Sequence, residues 1–328
     1  MNKDLQKEEE FYAKEFNFSY SSLNRLLFSP SLFYKDYILQ DREIRTDKHL
    51  IEGKLVHCLL FEPENFEKKF NLVPGKTPSD NIRKVLKDMS MVTDAPTLEE
   101  CDEFIITDSL SSLNLYQSLK TDESRIAKIR TPDNEVYWKF LSKSNIDIID
   151  QDTYSKCLEN VDTIKENKDV MKLFEQEQTD FDLDPITSYK EKYLKSELQN
   201  LDFGLHGYID YFKVDTENKT AVISDLKTTS KSITDFRETV DFYNYWLQAA
   251  IYMKLVYDFL GDDKDSYRID FNFIVIDKYN QVYVFEVGEN SINTWADGLG
   301  GVLKTAEFHY KSRNYSLPMD FLVNKVKL

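Results

Sequence analysis

The sequence predicts an α/β fold of the α+β kind, in which a mixed central sheet carries a helical N-terminal elaboration. Two observations predict it. Up to about residue 180 the apolar residues recur at helical spacing, and after Pro185 the chain turns to runs of aromatic and β-branched residues. The second half then reads in the order β-β-β-α-β-β-α, an order that builds a mixed sheet with helices against it. The same change of character divides the chain into a mainly helical part, 1–180, and a sheet-bearing core, 181–328, expected to form one compact unit.

Each element has its own signal. In FSYSSLNRLLFSPSLFYKDYIL, Ser21 or Ser22 is expected to cap a short helix bearing Leu23, Leu26 and Leu27. Pro30 suits the first turn of the next helix, with Phe33, Tyr34 and Tyr37 on one side. DKHLIEGKLVHCLLFEPENF reads as a strongly apolar helix that stops before Pro63, and TPSDNIRKVLKDM and TLEECDEFI as surface helices. DQDTYSKCLENVDTIKENKDVMKLFE adds one or two more, with Leu158, Val161, Ile164 and Val170 as core candidates. Beyond Pro185, ITSYKEKYLKSEL, FGLHGYIDYFKVD and TAVISDLKTT read as strands, the last two joined by the tight turn TENK. The helix FYNYWLQAAIYMKLVYDFLG ends at Gly261, a strand pair turns near Tyr279-Asn280, and SINTWADGLGGVLKTAEFHYK closes the series.

Composition narrows the setting. With 328 residues, 41% hydrophobic and 14% aromatic, the chain can bury a proper core. Its net charge of −16 argues against a basic, sequence-independent coat for nucleic acid, yet leaves room for acidic groups that hold metal ions. Cys58, Cys101 and Cys157 lie far apart, which argues against a disulfide framework and against cysteine-held zinc or iron–sulfur clusters. No run of about 18 apolar residues occurs, and MNKDLQKEEEFYAKEF is too acidic for a signal peptide. A soluble, cytoplasmic protein without membrane contact is expected.

The chemistry gathers at VISDLKTTSKS. Asp225 and Lys227 stand two apart in a strand, so their side chains project together while Leu226 packs behind. Asp210 lies in the preceding strand, and a hairpin closed by TENK brings the two carboxylates together beside the lysine. Paired carboxylates suit a hard divalent cation such as Mg²⁺ or Mn²⁺. A neighbouring lysine orients water or neutralises charge on a phosphate. By itself the D-x-K tripeptide reads more readily as a surface ion pair on an edge strand. Gln248 and Tyr252, four apart, share one face of the next helix, where a core helix displaying a Gln is the plainer reading. His57, in KLVHCLL with Gly53 one turn earlier, reads on its own as a satisfied core histidine.

Together these residues resemble the RecB-like branch of the PD-(D/E)xK nuclease superfamily: Asp210, then DLK fifteen residues on, then Q-x-x-x-Y one helix later, and an upstream helical His. SYSSLNRLLFSPSLFYKDYI, EGKLVHCLLFEPENFEKKF, FNFIVIDKYNQVYVFEV and WADGLGGVLKTAEFHY extend the likeness to the exodeoxyribonuclease VIII-type domain of phage and prophage recombination, over most of residues 17–315; the stretch 76–145 contributes little. The resemblance implies the restriction-endonuclease-like core of that superfamily, with His57, Asp210, Asp225 and the backbone carbonyl of Leu226 as ligands to Mg²⁺ or Mn²⁺, in two ions. It implies that Lys227 acts on the attacking water, that Gln248 and Tyr252 contact DNA or buttress the site, and that Glu191 is auxiliary, although in YKEKYLKSE that glutamate reads equally as a solvent-facing charge. Three departures stand out. Tyr208-Ile209 replaces the Arg-Pro pair common before the first Asp. Ser29 stands before Pro30 where cluster-bearing relatives place Cys, in keeping with no iron–sulfur cluster. The acidic surface confines any DNA path to local positive features, for which Lys227, Lys231 and Arg237 are candidates.

The leading expectation is a divalent-metal-dependent exonuclease that resects linear duplex ends for recombination or repair. A non-catalytic DNA-end or partner-binding protein on a nuclease fold is the alternative, and a structural or inhibitory phage protein a third. A single-strand annealing partner and a homo-oligomeric ring are implied by the resemblance alone.

Overall fold

A computed structural model describes residues 3–43, 47–142, 146–174 and 185–326. Its strands, in chain order, are β1 (Phe16–Phe18), β2 (Phe70–Leu72), β3 (Asp147–Ile149), β4 (Ile186–Glu197), β5 (Phe203–Asp215), β6 (Thr220–Thr229), β7 (Arg268–Asp277) and β8 (Val282–Glu286). The chain divides into two compact units, one of Met1–His49, Leu60–Glu62 and Asn160–Leu328, the other of Leu50–Leu59 and Pro63–Glu159. The change of character expected at 180/181 lies outside the described residues. No helix among the described residues is long and apolar enough to cross a membrane.

The first unit is built on a mixed six-stranded sheet in the order β1-β5-β6-β7-β8, with β4 on the other edge of β5. Pairing is antiparallel for β4/β5, β5/β6 and β7/β8, and parallel for β6/β7 and β1/β5. The TENK turn closes the β5–β6 hairpin as the sequence predicts. There the Asp215 carboxylate accepts from the amides of Glu217 and Asn218 at 3.0 and 2.9 Å, and Lys219 takes the left-handed conformation at φ 51°. Parallel β6 and β7 require a crossover, supplied by the helices Phe236–Phe242 and Tyr245–Phe259. The second of these buries residues nearly all round, including Leu247, Ala249, Ile251, Leu255 and Val256, because it lies between the sheet and the long helix Glu289–Ser312.

Packing fixes where this helix sits. Gly207 of β5 leaves room for Tyr252 and Leu255, whose side-chain carbons would lie 3.0 and 3.3 Å from an added Cβ. Phe236, Phe271, Phe273 and Phe203 join the same core. The second unit has a separate core of Ile82, Val85, Leu86, Met89, Ile106, Leu110, Ile129 and Trp138, in which the Trp138 indole donates to the Ala95 carbonyl at 2.8 Å.

Local readings are corrected at three places. The helix Tyr20–Phe28 is capped by Ser19, not Ser21 or Ser22, and Ser22 serves as the third residue of a reciprocal capping box. Leu158 is 37% exposed, while Val161, Ile164 and Val170 are buried. β1, β2 and β3 are strands of three residues each, with no counterpart in the sequence reading.

Gly204, in β5, has a backbone neighbour on one side and Asn17 on the other. An added Cβ would stand 2.5 Å from the Ser196 carbonyl oxygen, an atom held in the β4 ladder. Gly204→Ala is therefore expected to destabilise the protein by about 2 kcal/mol, read as a lower midpoint in urea denaturation; an unchanged midpoint would show that β4 yields freely.

Candidate active site

The site forms where β5 and β6 part. Their ladder runs from Asp215↔Thr220 to Tyr211↔Ser224 and goes no further. The next residue on each strand is an aspartate, Asp210 on β5 and Asp225 on β6. In place of a ladder bond, the Asp210 carboxylate accepts from the Leu226 backbone amide at 2.8 Å and so ties the parting strands together. Asp225 is fully buried and Asp210 is 7% exposed. Carboxylates so placed need charged or hydrogen-bonding partners, because burial of a bare charge costs several kcal/mol.

Lys227 is the first partner. Strand alternation sets it on the same side as Asp225, and its Nζ lies 2.5 Å from Asp225 Oδ2. The ammonium also donates to Gln248 Oε1 at 2.8 Å and sits 4.6 Å from the centre of the Tyr245 ring, a cation–π contact. Gln248 in turn donates from Nε2 to Asp225 Oδ1 at 3.1 Å and to the Tyr252 hydroxyl at 2.9 Å. One amide thus meets the lysine with its oxygen and the carboxylate with its nitrogen.

The electrostatics follow from these contacts. Burial draws the Lys227 ammonium toward a lower pKa, but the opposing effects of Asp225, Tyr245 and Asp210 prevail and hold it above the ordinary lysine range. Burial, reinforced by Asp225 and Asp210, raises the Tyr252 phenol well above its ordinary value. Burial likewise raises Tyr245, partly offset by Lys227.

Glu191 stands across from Asp210. The β4/β5 register pairs Lys190 with Tyr211 and Lys192 with Ile209, which sets Glu191 opposite the aspartate between them. Its backbone takes φ +43°, a left-handed conformation rare for a non-glycine residue within a strand. Strain of this kind, on the order of 1–3 kcal/mol, persists only where surroundings impose it, and it gathers at functional sites. Carboxylate oxygens of Glu191 and Asp210 lie within 4.8 Å of one another.

Glu191, Asp210 and Asp225 present oxygens alone, the donors that Mg²⁺, Mn²⁺ and Ca²⁺ favour. Lys227 is the ammonium that meets Asp225, and with Glu191 and Asp210 close by the carboxylates outnumber it. A divalent cation fits this local excess of negative charge.

The sequence-predicted residues of the first unit therefore converge. Asp225, Lys227, Gln248 and Tyr252 share one hydrogen-bonded network, next to which Asp210 accepts from the Leu226 amide and Glu191 stands opposite Asp210. Gln248 and Tyr252 are 7% and 8% exposed, so they brace Lys227 and Asp225 from behind. His57 lies in the other unit, in the middle of the helix Lys48–Phe61 and half-buried. Lys231 and Arg237 are exposed. Sequence reasoning missed Tyr245, although its position three residues before Gln248 puts it on the same helical face.

Two buried carboxylates and a lysine where strands part, braced from a neighbouring helix, form an oxygen-rich donor set able to hold a divalent metal beside a cation. Residues 160–269 match the pattern of the PD-(D/E)XK nuclease superfamily, a span that contains every residue of this network. Among solved structures, a protein from Eubacterium rectale provisionally named an exonuclease aligns at 12% identity with a TM-score of 0.45, covering 100% of this chain and 92% of that one. The protein SSO0001 aligns at 12% identity with a TM-score of 0.23, covering 84% of this chain and 96% of its own. No curated protein matches the chain.

Gln248 contacts three buried groups, so removing its amide leaves each of them short of a partner. Gln248→Leu, which keeps most of the volume, is expected to cost about 1–3 kcal/mol of stability in chemical denaturation. A variant as stable as the wild type would mean that the network contributes nothing.

Proposed function

We propose that this chain is a divalent-metal-dependent deoxyribonuclease, and more narrowly an exonuclease that shortens linear duplex DNA for recombination or repair. The observation that carries the reading is the Asp225–Lys227 pair, with Nζ 2.5 Å from Oδ2, set beside Asp210 where the strands part. A structural ion pair alone gives no account of a second buried aspartate on the adjoining strand, nor of a strained glutamate opposite it.

In this reading Asp210, Asp225 and the Leu226 carbonyl hold Mg²⁺ or Mn²⁺, in two ions, and Glu191 supports them. His57, in the second unit, is the further proposed ligand, imidazole being a donor that divalent metals accept. When bound, the ions would lower the pKa of a water and offset charge on the phosphate. Lys227, fixed by Gln248 and Asp225, orients the attacking water and offsets charge that develops on the phosphate oxygens. Gln248 keeps the ammonium in place, and Tyr252 keeps Gln248 in place. Burial of the network excludes bulk water, which strengthens each of these interactions.

The acidic chain, at −16, repels DNA over most of its surface, so entry by a free end is favoured over binding along a continuous duplex. With Mg²⁺, linear duplex DNA is expected to shorten progressively while closed circles of the same sequence survive, and EDTA is expected to stop the reaction. Lys227→Ala and Asp225→Asn should each lower the rate at least 100-fold, about 2.7 kcal/mol in barrier height, while remaining folded by circular dichroism. Activity within tenfold of wild type in either variant would overturn the site. Circles cut as fast as linear DNA would overturn the exonuclease reading, and no cleavage with any divalent ion would leave a DNA-binding module in its place.

A further inference from the structure

Phe242 and Tyr243 are 73% and 45% exposed at the turn between the helices Phe236–Phe242 and Tyr245–Phe259. Single exposed aromatics are ordinary on protein surfaces. These two form the outer end of a continuous series of rings that begins at Lys227. The Lys227 ammonium lies 4.6 Å from the Tyr245 ring centre, and Tyr243 stacks on Tyr245 at 5.6 Å and 28°. Phe242 meets Tyr243 edge-on at 4.9 Å, and the Lys231 ammonium lies 5.5 Å from the Phe242 ring centre. The series thus runs from one lysine to another through three aromatic rings.

The turn is also held firmly. Asn244 takes the left-handed conformation at φ 56° and ψ 40°. Its side chain donates to Asn24 Oδ1 at 2.8 Å and accepts from the Trp246 indole at 3.1 Å. The Tyr20 hydroxyl and the Asn24 amide both donate to the Tyr243 carbonyl, at 2.6 and 3.4 Å. The backbone that presents the exposed rings is therefore fixed from the helix Tyr20–Phe28, on a chain whose overall charge repels DNA. Rings held in place between lysines, continuous with a phosphate-handling lysine, match the way unpaired bases are bound: bases stack on aromatic faces and phosphates meet the cations.

We propose that Phe242 and Tyr243 form a stacking platform for unpaired bases of the strand that enters the site, with Lys231 taking one of its phosphates. This rests on the nuclease reading above and names the substrate form: single-stranded DNA, or a duplex end whose terminal bases have separated. Paired bases already stack on one another and offer these rings only a terminal face.

Fluorescence anisotropy with a fluorescein-labelled dT12 single strand and a blunt 12-base-pair duplex, with Ca²⁺ in place of Mg²⁺, tests the proposal. Phe242→Ala and Tyr243→Ala are each expected to weaken dT12 binding roughly ten- to hundredfold, and duplex binding less than about threefold. Phe242→Tyr and Tyr243→Phe, which keep a ring, should restore wild-type affinity, whereas Phe242→Leu should not. Phe28→Ala, at a phenylalanine 77% exposed outside the series, should bind as the wild type. Alanine variants with wild-type affinity, rescue by leucine, or equal losses on duplex would each overturn the platform and leave the nuclease reading standing. A wild-type protein that neither binds dT12 nor cleaves DNA would remove the nuclease reading and the platform with it.

Discussion

A carboxylate with no surface in water, as at Asp225, has to be neutralised or matched by groups that are themselves in place. In this protein the match comes from Lys227 on the same strand, and most of the neighbouring architecture serves to keep that pair in position. Lys227 donates to Gln248, Gln248 donates to Asp225, and Tyr252 accepts from Gln248, so each partner limits the rotamers of the next. Charge-assisted hydrogen bonds in a dry setting are strong, and the loss of one member leaves the others without compensation.

That requirement reaches into the packing. The helix Tyr245–Phe259 is buried on nearly every side, which fixes its axial position against the sheet. Gly207 permits the close approach of Tyr252, and the left-handed Asn244 sets the point at which the helix begins. On the sheet, the β5–β6 ladder stops one residue short of the two aspartates, and the Asp210–Leu226 hydrogen bond takes over. Ending a ladder at that point frees the aspartate side chains to converge, and the strained Glu191 opposite belongs to the same local departure from regular pairing.

Much of this was legible in the sequence, for physical reasons that can be named. The two-residue period of a strand made Asp225 and Lys227 neighbours, and the i,i+4 spacing of a helix made Gln248 and Tyr252 neighbours. The TENK turn made Asp210 and Asp225 a pair. Other features were not legible. The contact of Tyr245 with Lys227 depends on how a helix docks on a sheet, which no local spacing encodes. The left-handed backbone of Glu191 is imposed by its surroundings and carries no signature such as glycine. Strands as short as β1 offer three residues, too few for a period, and Leu158 fits the helical periodicity yet is itself 37% exposed. Ser19 outcompeted its neighbours as a cap because Ser22 could complete the capping box from within the helix.

In the proposed function, Asp210 and Asp225 hold a divalent metal beside Lys227. Isothermal titration of Mn²⁺ into the wild-type protein and into Asp210→Asn and Asp225→Asn tests it without DNA or turnover. Saturable binding by the wild type, weakened at least tenfold in each variant, is the predicted result. Equal Mn²⁺ affinity in all three proteins would contradict the claim.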